Sequence, residues 1–126
     1  MHIVSVVTGI LREDKTIYDA YRAVFPAGTV SGAPKVKAMQ LVCGLETERR
    51  GVYSGSVGYF SFSGALDTAI AIRTIVVKDG RIYCQAGGGI VYDSDPAAEY
   101  EETMNKLGSA VRTIEKSKAS STAGSI

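Results

Sequence analysis

The chain has 126 residues, is 45% hydrophobic and 21% charged, and carries a formal net charge of +1. That length suits one domain, and the near-zero charge argues against a basic nucleic-acid arm. No apolar run nears the ~20 residues of a membrane span, no signal peptide precedes the first strand-like segment, and two cysteines, Cys43 and Cys84, are too few for a metal cluster or a secreted disulfide scaffold.

Residues 2–11 are rich in Val and Ile and read as a strand that expects partners on both sides. Asp14 is placed to cap a helix carrying Ile17, Tyr18, Tyr21 and Val24 at helical spacing, and Pro26 ends it. Ser31 is placed to cap a second helix, with Pro34 in its first turn, where a missing N–H costs little, and Gly44 at its stop. Residues 45–51 form a charged loop. Three strands follow, over 53–62, 69–77 and 82–86, and the Asp79-Gly80 pair suits the type I′ turn of a hairpin. These three strands predict an antiparallel β-meander, and the fold class is α+β with flanking helices. Asp95-Pro96 opens a last helix whose buried face is Tyr100, Met104, Leu107, Val111 and Ile114. Residues 116–126, rich in Ser, Ala and Lys, read as a disordered tail.

Glycine is enriched, at 14 residues against a usual ~7%. Gly28 to Lys35 is not a phosphate loop, because Gly28 and Gly32 stand too close together and Lys35 follows a proline. Gly87-Gly88-Gly89 is not a dinucleotide fingerprint, since its third glycine would fall at Tyr92. That run suits either a tight turn or backbone N–H groups facing an anionic ligand.

Arg73 lies mid-strand between two largely apolar faces, which predicts burial and an anionic partner, either an internal carboxylate or a ligand's. Glu99, Glu102 and Lys106 share a helix face. They suit either a hard cation such as Mg2+ or a solvated face with an i,i+4 ion pair worth ~0.3–0.5 kcal/mol. His2 is the chain's one histidine. It could transfer a proton near neutral pH. Tyr53 suits either core packing or a ligand contact.

The string Phe25-Pro26-Ala27-Gly28-Thr29-Val30-Ser31-Gly32-Ala33-Pro34-Lys35 resembles the signature of the chorismate-utilising enzymes, most closely their anthranilate synthase large-subunit group. His2-Ile3-Val4-Ser5, Gly58-Tyr59-Phe60, the run from Asp67 to Thr74, and Gln85 to Val91 with Asp93-Ser94 agree in order. So does the closing Glu99-x-x-Glu102-Thr103-x-Asn105-Lys106. The resemblance implies that residues 1–115 are the C-terminal portion of a chorismate-binding domain, itself a larger two-sheet α/β sandwich. The implied reaction is Mg2+-dependent: chorismate and ammonia give anthranilate and pyruvate, in tryptophan biosynthesis.

The resemblance assigns His2 to the ring hydroxyl that leaves and Thr29 to the ring end of the pocket. Tyr53, Arg73 and the backbone at Gly87, Gly88 and Gly89 match the family's enolpyruvyl-carboxylate grip. Glu99 and Glu102 match half of its Mg2+ site, and Lys106 a lysine beside it. The family has Ala at the Gly88 position. Its other acidic pair lies upstream of the histidine, so the isolated 126 residues are expected not to turn chorismate over. Implied partners are chorismate and a glutamine amidotransferase subunit or domain that supplies ammonia. The implied location is the cytoplasm, or the plastid in a plant. Aminodeoxychorismate synthase component I and a non-catalytic chorismate-binding module are the competing readings. Ala27-Gly28-Thr29-Val30-Ser31 favours the anthranilate group over the former.

Overall fold

The computed structural model describes residues 5–123. Four helices and four strands follow in order: α1 (Ile17–Val24), α2 (Gly28–Ser31), α3 (Lys35–Leu45), β1 (Ser56–Phe60), β2 (Leu66–Ile70), β3 (Ile75–Lys78), β4 (Arg81–Cys84) and α4 (Pro96–Ala123). The class is α+β with antiparallel pairing, as the sequence predicts.

The helix starts differ from expectation. Thr16, not Asp14, caps α1: its hydroxyl accepts from the Asp19 N–H while the Asp19 carboxylate accepts from the Thr16 N–H, a reciprocal capping box. Asp14 is instead paired with Arg12 and Lys15. Ser31 ends the short α2, where its hydroxyl bonds back to the Ala27 carbonyl, and Pro34 stands at the N-cap position of α3 with no side-chain capping bond. Gly44 stays inside α3, which stops at Leu45. The amine of Lys35 donates to the carbonyl of Val24, so it closes the exposed C-terminal end of α1.

The meander divides into two hairpins. β1 pairs with β2 and β3 with β4, and these are separate two-stranded sheets. Asp79 and Gly80 both adopt positive φ, +52° and +71°, and so make the predicted tight turn. The expected strand 69–77 is interrupted at Arg73, whose φ of +52° turns the chain. Before that bend Ser54 N–H donates to the Ala71 carbonyl and Ala71 N–H to the Gly55 carbonyl, which extends the first hairpin's pairing as far as Ala71.

The apolar faces are poorly covered. Among the described residues only Ala71, at 4% exposure, is a buried hydrophobic, and Ser31, at 9%, is the buried polar residue. Tyr18, Tyr21, Phe25 and Phe60 form an aromatic cluster, with centroid separations of 5.4–6.5 Å, that joins α1 to β1. Residues 5–11 are exposed and take no strand conformation, since no strand among the described residues lies alongside them. On α4, Tyr100, Met104 and Val111 are exposed, and only Leu107 and Ile114 of the expected buried face are half-covered. The helix continues through residues 116–123, into the segment read as a tail, because its i→i+4 bonds are local and need no tertiary partner.

The accessible surface totals 10,952 Å². A compact monomer of 13.3 kDa would expose about 6,500 Å². The chain therefore presents apolar strand and helix faces of the kind that a larger domain buries.

Candidate functional site

Side chains from three regions meet at the backbone of Gly87 and Gly88. A methyl group placed at Gly87 would lie 3.1 Å from the Tyr53 hydroxyl. One placed at Gly88 would lie 3.1 Å from Glu99 Oε2 and 3.8 Å from Thr103 Oγ1. Lys106 donates to the Gly87 carbonyl at 3.2 Å and pairs with Glu102 at 2.5 Å. Glycine at 87 and 88 thus lets a phenol, a carboxylate and an ammonium close on one backbone segment.

The start of α4 positions the acidic side chains. Asp95 accepts from the Ala98 N–H at 2.9 Å, the predicted cap. Ser94 accepts from the Val91 N–H and donates to Glu99 Oε1 at 2.6 Å, which fixes that carboxylate toward Gly88. Glu102 lies three residues on, on the same face, and is exposed. The pair offers oxygen donors of the hard type that Mg2+ takes. Among the described residues no group of three or more acidic, His or Cys side chains is gathered, so the donor set is partial.

Of the sequence-predicted residues, Tyr53, Gly87, Gly88, Glu99, Glu102 and Lys106 come together. Gly89 is exposed, with open space around it. Thr29 is exposed on α2. Arg73 is exposed on its bend and makes no hydrogen bond or ion pair among the described residues, so the expectation of a buried strand position is corrected, and no internal carboxylate is its partner there. The reason is that Arg73 lies on the bend between β2 and β3 and not within a strand. His2 lies outside the described residues.

Arg50 is the residue the sequence reading missed. Its guanidinium donates to both oxygens of Glu46, at 2.7 and 2.5 Å, to the Val30 carbonyl at 2.8 Å and to the Ser54 hydroxyl at 2.9 Å. Its Cζ also lies 5.7 Å from the Tyr53 ring centroid. The hydrogen bonds from Arg50 hold the Glu46 carboxyl below its ordinary value, and the same bonds raise the guanidinium further. The i,i+4 spacing of Glu46 and Arg50 was the available signal, inside a stretch read only as a charged loop.

Two hollows flank this arginine. One of about 300 Å³ runs between Glu46, Arg50, Tyr53, Gln85 and Ala86, next to the glycine run. The larger, about 430 Å³, lies under α3 against Val30, Met39, Val42 and Cys43. It touches none of the glycines, and the chemistry-bearing side chains converge on the smaller one's side.

The family model for chorismate binding enzyme matches residues 1–112. A probable anthranilate synthase component 1 of Schizosaccharomyces pombe is 61% identical over 116 residues, covering 91% of this chain and 24% of the relative. Anthranilate synthase component 1 of Saccharomyces cerevisiae is 64% identical over 107 residues, 84% of this chain and 21% of the relative. The crystal structure of anthranilate synthase component I from Streptococcus pneumoniae superposes with a TM-score of 0.76 at 57% identity, over 78% of this chain and 22% of that one. The chain spans about a quarter of the length of the curated relatives it matches.

Proposed function

This chain belongs to the chorismate binding enzyme family, and we propose that it forms part of the catalytic domain of an anthranilate synthase. The reaction is the lyase conversion of chorismate and ammonia to anthranilate and pyruvate. One observation carries the reading: Tyr53, Glu99 and Lys106 converge on the Gly87–Gly88 backbone, where the resemblance puts the substrate's enolpyruvyl carboxylate. The identity to component 1 proteins supports the anthranilate product. The exposed apolar faces fit a segment whose remaining contacts come from the rest of such a domain.

Chorismate carries two carboxylates. Arg73, exposed and without a partner among the described residues, is free to hold the enolpyruvyl carboxylate with its planar fork. The Tyr53 hydroxyl and the N–H groups at residues 87–89 would supply neutral donors to the same carboxylate, and none of the glycines there blocks approach with a Cβ. Glu99 and Glu102 would hold Mg2+, and the cation, when bound, offsets the charge of the ring carboxylate and orients the ring. Ser94 keeps Glu99 aimed, while Lys106 limits the negative charge at Glu102 and pins it to the glycine segment.

His2 is assigned as the acid that protonates the departing ring hydroxyl, and Thr29 lies at the ring end of the pocket in this reading. Ammonia comes from a glutamine amidotransferase partner. The proposed location is cytoplasmic; no helix among the described residues is long and apolar enough to cross a membrane.

The test splices these residues in place of the matching 116 residues of the Schizosaccharomyces pombe relative and supplies chorismate, ammonium and Mg2+. Anthranilate is read by its fluorescence. Anthranilate formation that falls at least 100-fold with Arg73→Ala is the expected result. An inactive hybrid, or aminodeoxychorismate as product, overturns the reading. The isolated 126-residue chain is expected to form no anthranilate, because the resemblance gives the family's Mg2+ site a second acidic pair besides Glu99 and Glu102.

A further inference from the structure

We propose that Arg50 is a positioning residue of the candidate site, its guanidinium locking the backbone after Thr29 to the turn that carries Tyr53. The inference rests on the functional reading only for the word "site"; the lock itself is geometric.

Three chain segments meet at this one side chain. Through the Val30 carbonyl it holds α2, in which Thr29 directly precedes Val30. Val30 sits in the last turn of a four-residue helix, where carbonyls lack intrahelical donors and an arginine supplies one. Through the Ser54 hydroxyl, the face of the Tyr53 ring and its own carbonyl, which accepts from the Tyr53 N–H, it holds the 50–54 turn. Ser54 is strained, at φ +67°, so an outside contact is needed to keep that turn in one conformation. Ser54 in turn donates its N–H to the carbonyl of Ala71, the most buried hydrophobic side chain among the described residues and two residues before Arg73. The same guanidinium is therefore linked to the segments of Thr29, Tyr53 and Arg73.

Glu46 explains why the residue is an arginine. Its carboxylate takes the Nε–Nη2 edge of the guanidinium and leaves Nη1 to bond both Val30 and Ser54. A lysine ammonium is a point charge without this fixed fork. Charge alone would not reproduce the geometry.

Arg50→Lys and Glu46→Gln are compared with the parent 126-residue chain by amide hydrogen exchange followed by NMR. The expected result for Arg50→Lys is exchange at least tenfold faster at Ser31, Ser54 and Ala71, with the β3–β4 hairpin amides unchanged. Glu46→Gln, which leaves the Val30 and Ser54 contacts in place, is expected to move the same amides less. Unchanged exchange in Arg50→Lys overturns the proposal, and so does an increase shared equally by the β3–β4 hairpin, which marks general destabilisation. Absence of protection at Ser54 and Ala71 in the parent overturns it as well. None of these readings needs chorismate, so they fail or stand apart from the proposed reaction. In the active hybrid, Arg50→Lys is expected to raise KM for chorismate at least fivefold and to change kcat by less than twofold.

Discussion

Gly58→Ala is the sharpest test of how the first hairpin is built. Gly58 faces Thr68 in the β1–β2 register. A methyl group there would lie 2.1 Å from the Asp67 carbonyl oxygen, 2.7 Å from Thr68 Cα and 2.8 Å from Thr68 Cγ2. Even a favourable C–H···O contact sits near ~3.3–3.6 Å, so the strands must part by more than ~1 Å. The nearest obstacle is backbone, and no rotamer change relieves it. A ladder bond stretched by that amount is no longer a hydrogen bond. Loss of about two such bonds at ~1 kcal/mol each, with ~1–3 kcal/mol of overpacking, gives a cost of about 3–5 kcal/mol. That approaches the whole stability of a marginal domain.

The consequence extends toward the site, because the Gly55–Ala71 pairing continues the same hairpin. Amide exchange across β1 and β2, with denaturant unfolding, measures the effect. Gly64→Ala is the control: its φ is +87°, but nothing lies within 4 Å of an added methyl. It should cost only the ~1–2 kcal/mol of left-handed strain. A Gly58→Ala chain as stable as Gly64→Ala, with β1 and β2 still protected, would refute the reasoning.

Arg50 holds the Glu46 carboxyl below its usual 4.5, so this pair's contribution is complete above the unfolded value. It is lost as pH falls through the lower, folded value, and solvent exposure keeps it under ~1 kcal/mol. A carboxyl NMR titration with a Glu46 midpoint at or above 4.5 contradicts this. Thr16→Ala should lower the stability of α1 by about 1 kcal/mol, read by amide exchange at Asp19 and Ala20. The Thr16 N–H and hydroxyl hold the Asp19 carboxyl low, so the same cap should weaken as acid protonates it. Gly88→Ala should change the unfolding free energy by under ~1 kcal/mol, because its 3.1 Å neighbour is the far end of the Glu99 side chain, which can turn about its χ angles and give up one Ser94 bond. Loss of the cooperative transition in Gly88→Ala would mean that Glu99 cannot yield.

Local chemistry carried much of this structure in the sequence. The Asp79-Gly80 turn, the Asp95 cap with Pro96 and the helix-ending Pro26 each depend on residues a few positions apart, and each appears where the pattern puts it. The Glu99, Glu102 and Lys106 face was legible for the same reason, since helical spacing alone places it. Rival caps were harder to separate. Thr16 and Asp14 both suit a helix start, and the reciprocal bond to Asp19 decides for Thr16.

Tertiary structure decided the rest. The apolar run through Arg73 has no glycine or proline to mark a break, so only the paired neighbours on either side show that the strand ends there. Burial was misread on β2 and α4 because an apolar face states what must be covered and not what covers it. Arg50 shows the same limit: Glu46 is visible from spacing, but Val30 lies 20 residues away and Ser54 owes its place to a strained turn. Sequence determines which groups can bond; the folded chain determines which of them meet.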